Sequence, residues 1–579
     1  MAPRKFIAVA LILALVGLCG CTASKPQQEI KETPVYEIVP ASGDYVSSAG
    51  TLNGESASTV ATALANKVYS FADNGDGTVH FANDGSGYAL NLPDDFAVAD
   101  MGDAPYRAVL GNENTRIEIF SQTIDSDALT YIGYSNKFLD TNTADYTKTL
   151  EEPWVLDTSI LPDSGRSPTV PTNDDVIKNV NPSANGNDLT WHWVEWQRRS
   201  LSRVNNDRPY YACVDMVDSE RNAWTIFVTS KTPIADTVDM PALIDSFTTY
   251  KPTVEAKEYP RSAHVRDNLN KETLNFYKSY LSEDASLTWG LFPPVSGESQ
   301  FADMTEVHEI QNKLGYTFPV LLHYTNLSQT YNITDILSRA RNDGHVVELT
   351  LQTPIYDATT QTNMVYEILE GKYDDYLHNY AAEVSQFGHP VLFRPFNEMN
   401  GDWCAYSAFW AARDCSTYVA LYRYLYDIFE EEGANANTLW VWNPNEKSFP
   451  NYAWNFADNY YPGDEYVDVV GLTGYNTGNY YEGETWRSFN DIYEPLYKHM
   501  APQYRQPLII TEFACSSIGG NKPQWVDDMF DDLKMRPRIK IAVWWDGCDM
   551  DGNTQARPYF IDDSQELIKV FHKHLKNTK

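Results

Sequence analysis

From about residue 280 onward the chain alternates two kinds of hydrophobic patch. Short, nearly continuous apolar runs recur as SLTWGLFPP, FPVLLHYT, HVVELTLQT, PVLFRPFNE, TLWVWNPNE, VDVVGLTGYN, PLIITEF and IKIAVWWDG. Runs of this kind predict strands buried on both faces, as in a parallel sheet covered by helices. Between them lie segments with helical spacing, such as DYLHNYAAEVSQFG and YVALYRYLYDIFEEEG, the latter stopped by Gly433. Eight such units over about 300 residues predict a (β/α)8 barrel spanning 276–579. The competing open, doubly wound sheet needs a glycine-rich phosphate loop after its first strand, and WGLFPPVSGES is not one.

Upstream, over 41–250, the pattern is strand-rich. KVYSF and VHFAN flank the turn ADNGDGT and predict a hairpin. GYALNLP, TRIEIFSQTI, LTWHWVEWQ, PYYACVDMV and AWTIFVTS follow as strands, and MPALIDSFTTY closes the unit as a short helix. An N-terminal α+β sandwich is therefore expected. Trp191, Trp193 and Trp196 share one strand, the first two on one face. They make either a sugar-stacking platform or, the favoured reading, an apolar surface for packing. The DNGDG turn lacks the EF-hand spacing and is read as a plain turn, while the acidic spacing of CDMDGN (548–553) suits either a calcium ion or, the favoured reading, a solvated loop. A polar, charged linker over 251–275 separates the two units.

The first 21 residues have the form of a secretory signal. Arg4 and Lys5 precede FIAVALILALVGL, which is short for a membrane span, and Leu18-Cys19-Gly20-Cys21 follows. Leu-x-Gly-Cys resembles a bacterial lipobox, which makes Cys21 the expected lipidated residue and 22–40 a flexible spacer. The resemblance implies an extracytoplasmic lipoprotein anchored to the membrane, at the cell surface or the periplasmic face. Five cysteines remain, so at least one is unpaired; Cys404 and Cys415 form either a disulfide or two buried thiols. No Cys/His cluster suggests a metal. A formal charge of −35 with a pI near 4.6 excludes a general nucleic-acid binder. The aromatic content of 13 % suits a glycan-handling protein and equally a large aromatic core.

Two glutamates carry the candidate chemistry. Glu398 closes the strand-four run in VLFRPFNEMNGDW, and Glu512 closes the strand-seven run in PLIITEFACS. In a barrel both reach the C-terminal mouth, where paired carboxyl groups about 5–5.5 Å apart cleave glycosidic bonds with retention.

Asn-Glu on strand four with Glu on strand seven resembles the large clan of retaining (β/α)8 glycosidases. The Arg-Pro-x-x-Glu-Met-Asn-Gly-x-Trp pattern at 394–403, Thr-Glu-Phe at 511–513, WGLFPP and NKLGYTFPVLLHY resemble glycoside hydrolase family 26, whose best-known members are β-mannanases. This resemblance covers about 280–575. It implies Glu398 as acid/base, Glu512 as nucleophile, and Arg394 as the group holding Glu512 ionised. It further implies Asn397 on the sugar 2-hydroxyl, Tyr475 orienting Glu512, Trp544 or Trp545 as the floor under the reacting ring, and Trp403 lining a neighbouring subsite. His323, ending strand two, is either a substrate contact or a structural histidine. Two departures bear on specificity: Asn397 stands where the family's mannanases usually carry His, and Gln352 where they tend to carry Trp-His. The expected activity is a cofactor-free, endo-acting retaining β-glycanase, monomeric, acting on β-mannan or a related β-linked polysaccharide. A glycan-binding lipoprotein without turnover and a glycosidase trimming bacterial exopolysaccharide are the alternatives. GYALNLPDDF and the closing IDSF resemble the PsbP/Mog1-like α/β sandwich.

Overall fold

The computed structural model describes residues 68–100, 106–153, 155, 189–254, 265–294, 301 and 304–576, with short backbone segments at 36–37, 51–52 and 55–56. The signal segment, Cys21, most of the spacer and the centre of the expected linker lie outside the described residues. Among the described residues, no helix is long and apolar enough to cross a membrane.

Eight parallel strands close into a barrel in chain order: Thr288–Phe292, Val320–Asn326, Val346–Gln352, Val391–Pro395, Thr438–Trp442, Val469–Thr473, Leu508–Phe513 and Ile539–Trp545. The last pairs with the first, Thr288 opposite Ile541 through Phe292 opposite Trp545, so no edge is left. Each apolar run of the sequence supplies one strand. The barrel interior is filled by alternate residues, among them Phe292, Val320, Leu322, Leu392, Val441, Ile509 and Val543. The other parity packs outward against the helices, which is why these strands read as continuous apolar runs.

Among the described residues, the N-terminal unit is built mainly from two antiparallel sheets. The larger has seven strands, in the order Tyr146–Glu152, Thr190–Arg198, Tyr210–Val217, Asn222–Ser230, Thr115–Thr123, Arg107–Gly111 and Ala97–Asp100. The smaller sheet is built from Thr248–Thr249, Tyr88–Pro93, Thr78–Asn83 and Tyr69–Asp73, the last two forming the expected hairpin. One face of the large sheet (Ala212, Val214, Met216, Ile226) packs on the small sheet and on the helix Met240–Ser246. Its other face (Tyr211, Cys213, Val217, Phe227) joins the helix Ala128–Asn136 and continues without a break into the barrel's outer core.

Alternation along Thr190–Arg198 separates the three tryptophans. Trp191 and Trp193 are half-buried against the small-sheet side, whereas Trp196 is buried on the opposite face, stacked on Tyr211 at 5.2 Å. All three pack against the protein. CDMDGN forms a hairpin, Cys548–Asp551 with Thr554–Pro558, in which Asp549 pairs with Arg557 at 2.8 Å. Cys404 and Cys415 are buried: Cys404 Sγ donates to the Asn397 carbonyl and Cys415 Sγ to that of Trp454.

Candidate active site

Glu512 is aimed into the barrel mouth by an irregularity in strand seven. Leu472 pairs with Ile510, but the next residue, Thr473, pairs with Glu512, leaving Thr511 as an extra residue. Such a bulge re-aims the side chain that follows it. The Glu512 carboxylate then accepts three hydrogen bonds: from Tyr324 Oη at 2.6 Å and Arg394 Nη2 at 3.0 Å on one oxygen, and from Tyr475 Oη at 3.0 Å on the other. Donors on both oxygens fix its orientation.

Arg394 is fully buried and also donates to Thr350 Oγ1 and Asn443 Oδ1, with its guanidinium over the Tyr324 ring at 5.1 Å. Burial opposes its charge, but Tyr324, Glu512 and Glu348 outweigh that penalty and raise its pKa. Asn443 fits because residue 471 is glycine; a Cβ there would lie 2.8 Å from that of Asn443.

Glu398 sits in the turn just beyond strand four, with a left-handed φ of 55°. Its carboxylate accepts from Asn445 Nδ2 and, at 3.3 Å, from Trp403 Nε1. The Trp403 ring lies directly over Gly401, where a Cβ would be 2.5 Å from it. Asn397 is buried, accepting from Gln352 Nε2 at 3.0 Å and donating to Tyr324 Oη at 3.2 Å. Burial raises the pKa values of Tyr324 and Tyr475, and the negative fields of Glu512 and Glu398 reinforce the shift in each. Both phenols therefore stay protonated donors at the barrel mouth, where the candidate cleft lies.

Trp545 borders that cleft, packed with Phe292 at 6.0 Å, Tyr559 at 5.1 Å and Tyr475 at 5.8 Å. Two alternatives left open by the sequence are separated by the pleat. Trp544 faces outward, fully buried among Phe513 and Phe571 with its indole donating to the Tyr559 carbonyl, so it cannot floor the site. His323 likewise points away, since Val320, Leu322 and Tyr324 are the inward residues of strand two. It packs between Phe301 and Tyr331, neither ring nitrogen has a hydrogen-bond partner, and burial lowers its pKa to about 4.

Sequence reasoning passed over Tyr324, Asn445 and Glu348. Tyr324 and Asn445 end strand-like runs, the signal that singled out Glu398. Glu348 is the one acidic residue inside HVVELTLQT. It is wholly buried beneath Arg394, and burial raises its pKa to about 8, opposed by Arg394 and reinforced by Glu512. Its Oε1 lies 3.2 Å from Arg394 Nε, but that N–H is directed at Thr350, so neither carboxyl oxygen has a hydrogen-bond partner. Among the described residues, no group of three or more His, Cys, Asp or Glu side chains could hold a metal ion.

The sequence model of glycosyl hydrolase family 26 matches residues 351–514, a segment that contains Glu398 and Glu512. Endoglucanase H of Acetivibrio thermocellus is 29 % identical over 243 residues, covering 41 % of this chain and 26 % of that protein. Two mannan endo-1,4-beta-mannosidases of Bacillus subtilis are 33 % identical over 135 residues and 28 % over 181 residues. These matches cover 22 % and 27 % of this chain and 33 % and 47 % of the two enzymes. The chain thus spans between about a quarter and a half of the length of these curated relatives. The solved catalytic domain of a Bacillus sp. JAMB-750 GH26 endo-beta-1,4-mannanase is 19 % identical, covering 55 % of this chain and 93 % of that chain at a TM-score of 0.40. The segment matched by the family 26 model, residues 351–514, runs from the end of barrel strand three through strand seven.

Proposed function

We propose that this protein is a retaining, endo-acting β-glycanase that hydrolyses β-1,4-mannan. The observation that carries the reading is the three-donor cradle around Glu512, which suits a carboxylate held in one orientation and pointed at a sugar carbon. In the first step a Glu512 oxygen attacks the anomeric carbon while the C–O bond to the leaving sugar breaks, and Glu398 gives its proton to the departing oxygen. In the second step Glu398 takes a proton from water, whose oxygen displaces Glu512 and releases the product with retained configuration. Asn397 and Trp545 contact the reacting sugar, and Trp403 lines the adjacent subsite.

Mannan ranks first because two of the matched relatives are named for it. A β-1,4-glucan is the second reading, favoured by the relative named an endoglucanase. Gln352 and Asn397 border the sugar in place of the residues usual in the family's mannanases. The lipobox-like Cys21 supports a lipid-anchored, extracytoplasmic location for a monomer whose N-terminal unit is PsbP/Mog1-like.

The test is the product profile of wild type and Glu512→Ala on β-1,4-mannan, β-1,4-glucan and xylan. Wild type should release oligosaccharides, and the variant should lose several orders of magnitude in rate. A variant as fast as wild type would sink the mechanism. Binding of these glycans by wild type without product release would replace it with the non-catalytic reading, and cleavage of bacterial exopolysaccharide alone would redirect the substrate.

A further inference from the structure

The loop over 396–414, which carries Glu398, is held by the N-terminal unit as well as by the barrel. At its far end, Arg413 makes a two-pronged ion pair with Asp215 of the large antiparallel sheet, Nη1 to Oδ2 at 2.8 Å and Nη2 to Oδ1 at 2.9 Å. Both side chains are completely buried. Asp215 also accepts from Thr225 Oγ1 at 2.6 Å and Asn136 Nδ2 at 3.0 Å, so all its neighbours are donors. The Arg413 guanidinium lies over the Trp454 ring at 4.9 Å, and the Trp454 indole donates to Ser135 of the N-terminal unit. Tyr211 donates to Asp414 Oδ2 at 3.0 Å, and Tyr146 donates to the Trp410 carbonyl at 2.9 Å.

The same loop is internally braced toward its catalytic end. The Trp410 indole donates to the Asp402 carbonyl at 2.7 Å, and Tyr406 Oη to the Asn397 carbonyl, also at 2.7 Å. Phe396, Glu398, Ala412 and Arg413 all adopt left-handed backbone, with φ of 53°, 55°, 58° and 61°. For residues with a Cβ this conformation is costly and persists only where surrounding contacts over-determine it. At 413 those contacts include the ion pair to Asp215 of the N-terminal unit.

We propose that the N-terminal unit is a positioning element of the active site, its Asp215 clamping Arg413 so that the loop holds Glu398 in register with Glu512. The inference rests on the glycanase reading above. Asp215 and Arg413 make no hydrogen bond to Glu398 or Glu512, so they are positioning residues; of the side chains on the loop they steer, Glu398 has the role that a good leaving group bypasses.

That selectivity makes the test. A 2,4-dinitrophenyl β-mannobioside has a leaving group that departs without a proton, whereas mannan requires the proton of Glu398. The Asp215→Asn variant should lose about 10- to 100-fold in kcat/KM on mannan, the cost of a displacement near 1 Å. Its KM for mannan should stay within about twofold of wild type, and its kcat/KM on the aryl glycoside within about threefold. Tyr146→Phe removes a single hydroxyl and leaves the ring packed on Phe138, so it serves if Asp215→Asn does not fold; it should show the same selectivity at smaller size. Equal losses on both substrates, or no loss on either, would overturn the clamp while leaving the glycanase reading intact. A wild-type chain inert toward both substrates would take down that reading, and the clamp with it.

Discussion

The buried carboxyl of Glu348 makes a prediction about stability that is independent of any substrate. Its pKa rises from an ordinary 4.5 to about 8 because burial penalises the charged form more than Arg394 rewards it, and Glu512 adds to the shift. Below about pH 4.5 the group is protonated in folded and unfolded chains alike and contributes no pH dependence. Between 4.5 and 8 the folded protein keeps the proton while the unfolded chain releases it, so stability falls as pH rises. At 1.36 kcal/mol per unit over about 3.5 units, the loss is about 5 kcal/mol, complete near pH 8. The Glu348→Gln variant keeps the shape of the neutral acid and cannot ionise. Urea unfolding of both proteins, followed by tryptophan fluorescence at pH 5, 6, 7 and 8, isolates this group, because other titrations cancel in the difference. The variant should gain about 1.4 kcal/mol on wild type for each pH unit from 5 to 8. A gap constant to within about 0.5 kcal/mol across that range would refute the neutral, buried acid.

Other consequences follow from neighbouring contacts. Tyr324→Phe removes the shortest donor to Glu512 while leaving the ring packed on Phe292 at 5.3 Å; kcat/KM on mannan should fall about 10- to 100-fold through loss of alignment, with circular dichroism unchanged. Trp545→Ala should raise KM about 3- to 10-fold with little change in unfolding, whereas Trp544→Ala should cost about 3–5 kcal/mol of stability, which calorimetry and steady-state kinetics together distinguish. Gly401→Ala puts a methyl group 2.5 Å from the Trp403 ring; it should displace the indole from Glu398 and lower kcat on mannan, read against the aryl glycoside as a control.

The barrel was legible because each of its strands is apolar on both faces, and eight such runs separated by helical spacing admit few other folds. That same property hid the pleat. In FPVLLHYT and IKIAVWWDG both parities are hydrophobic, so nothing in the sequence says whether His323 or Tyr324, Trp544 or Trp545, turns inward. The motif 394–403 led to the strand-four side of the site, yet Asn445 and Tyr324 lie outside any such pattern and become visible only when strands five and two are placed beside it. The helices Ala128–Asn136 and Phe138–Thr141 and the strand Tyr146–Glu152 were also missed, their patterns too short and mixed to stand out.

One kind of signal was present and underused. Glu348, Arg394 and Asp215 each interrupt an apolar strand, in HVVELTLQT, PVLFRPFNE and PYYACVDMV. A charge at such a position costs several kcal/mol unless it is paired, hydrogen-bonded or neutralised, so folding tolerates it only where the structure answers it. The three are answered in three ways. Arg394 is answered by the Glu512 carboxylate, Asp215 by a guanidinium supplied from the opposite unit, and Glu348 by holding its proton. Two of these answers build the barrel mouth, and the third ties the loop of Glu398 to the antiparallel sheet. For Arg394 and Asp215, an isolated ionisable residue inside an apolar run therefore marks where two parts of this chain meet, although the run does not name the partner.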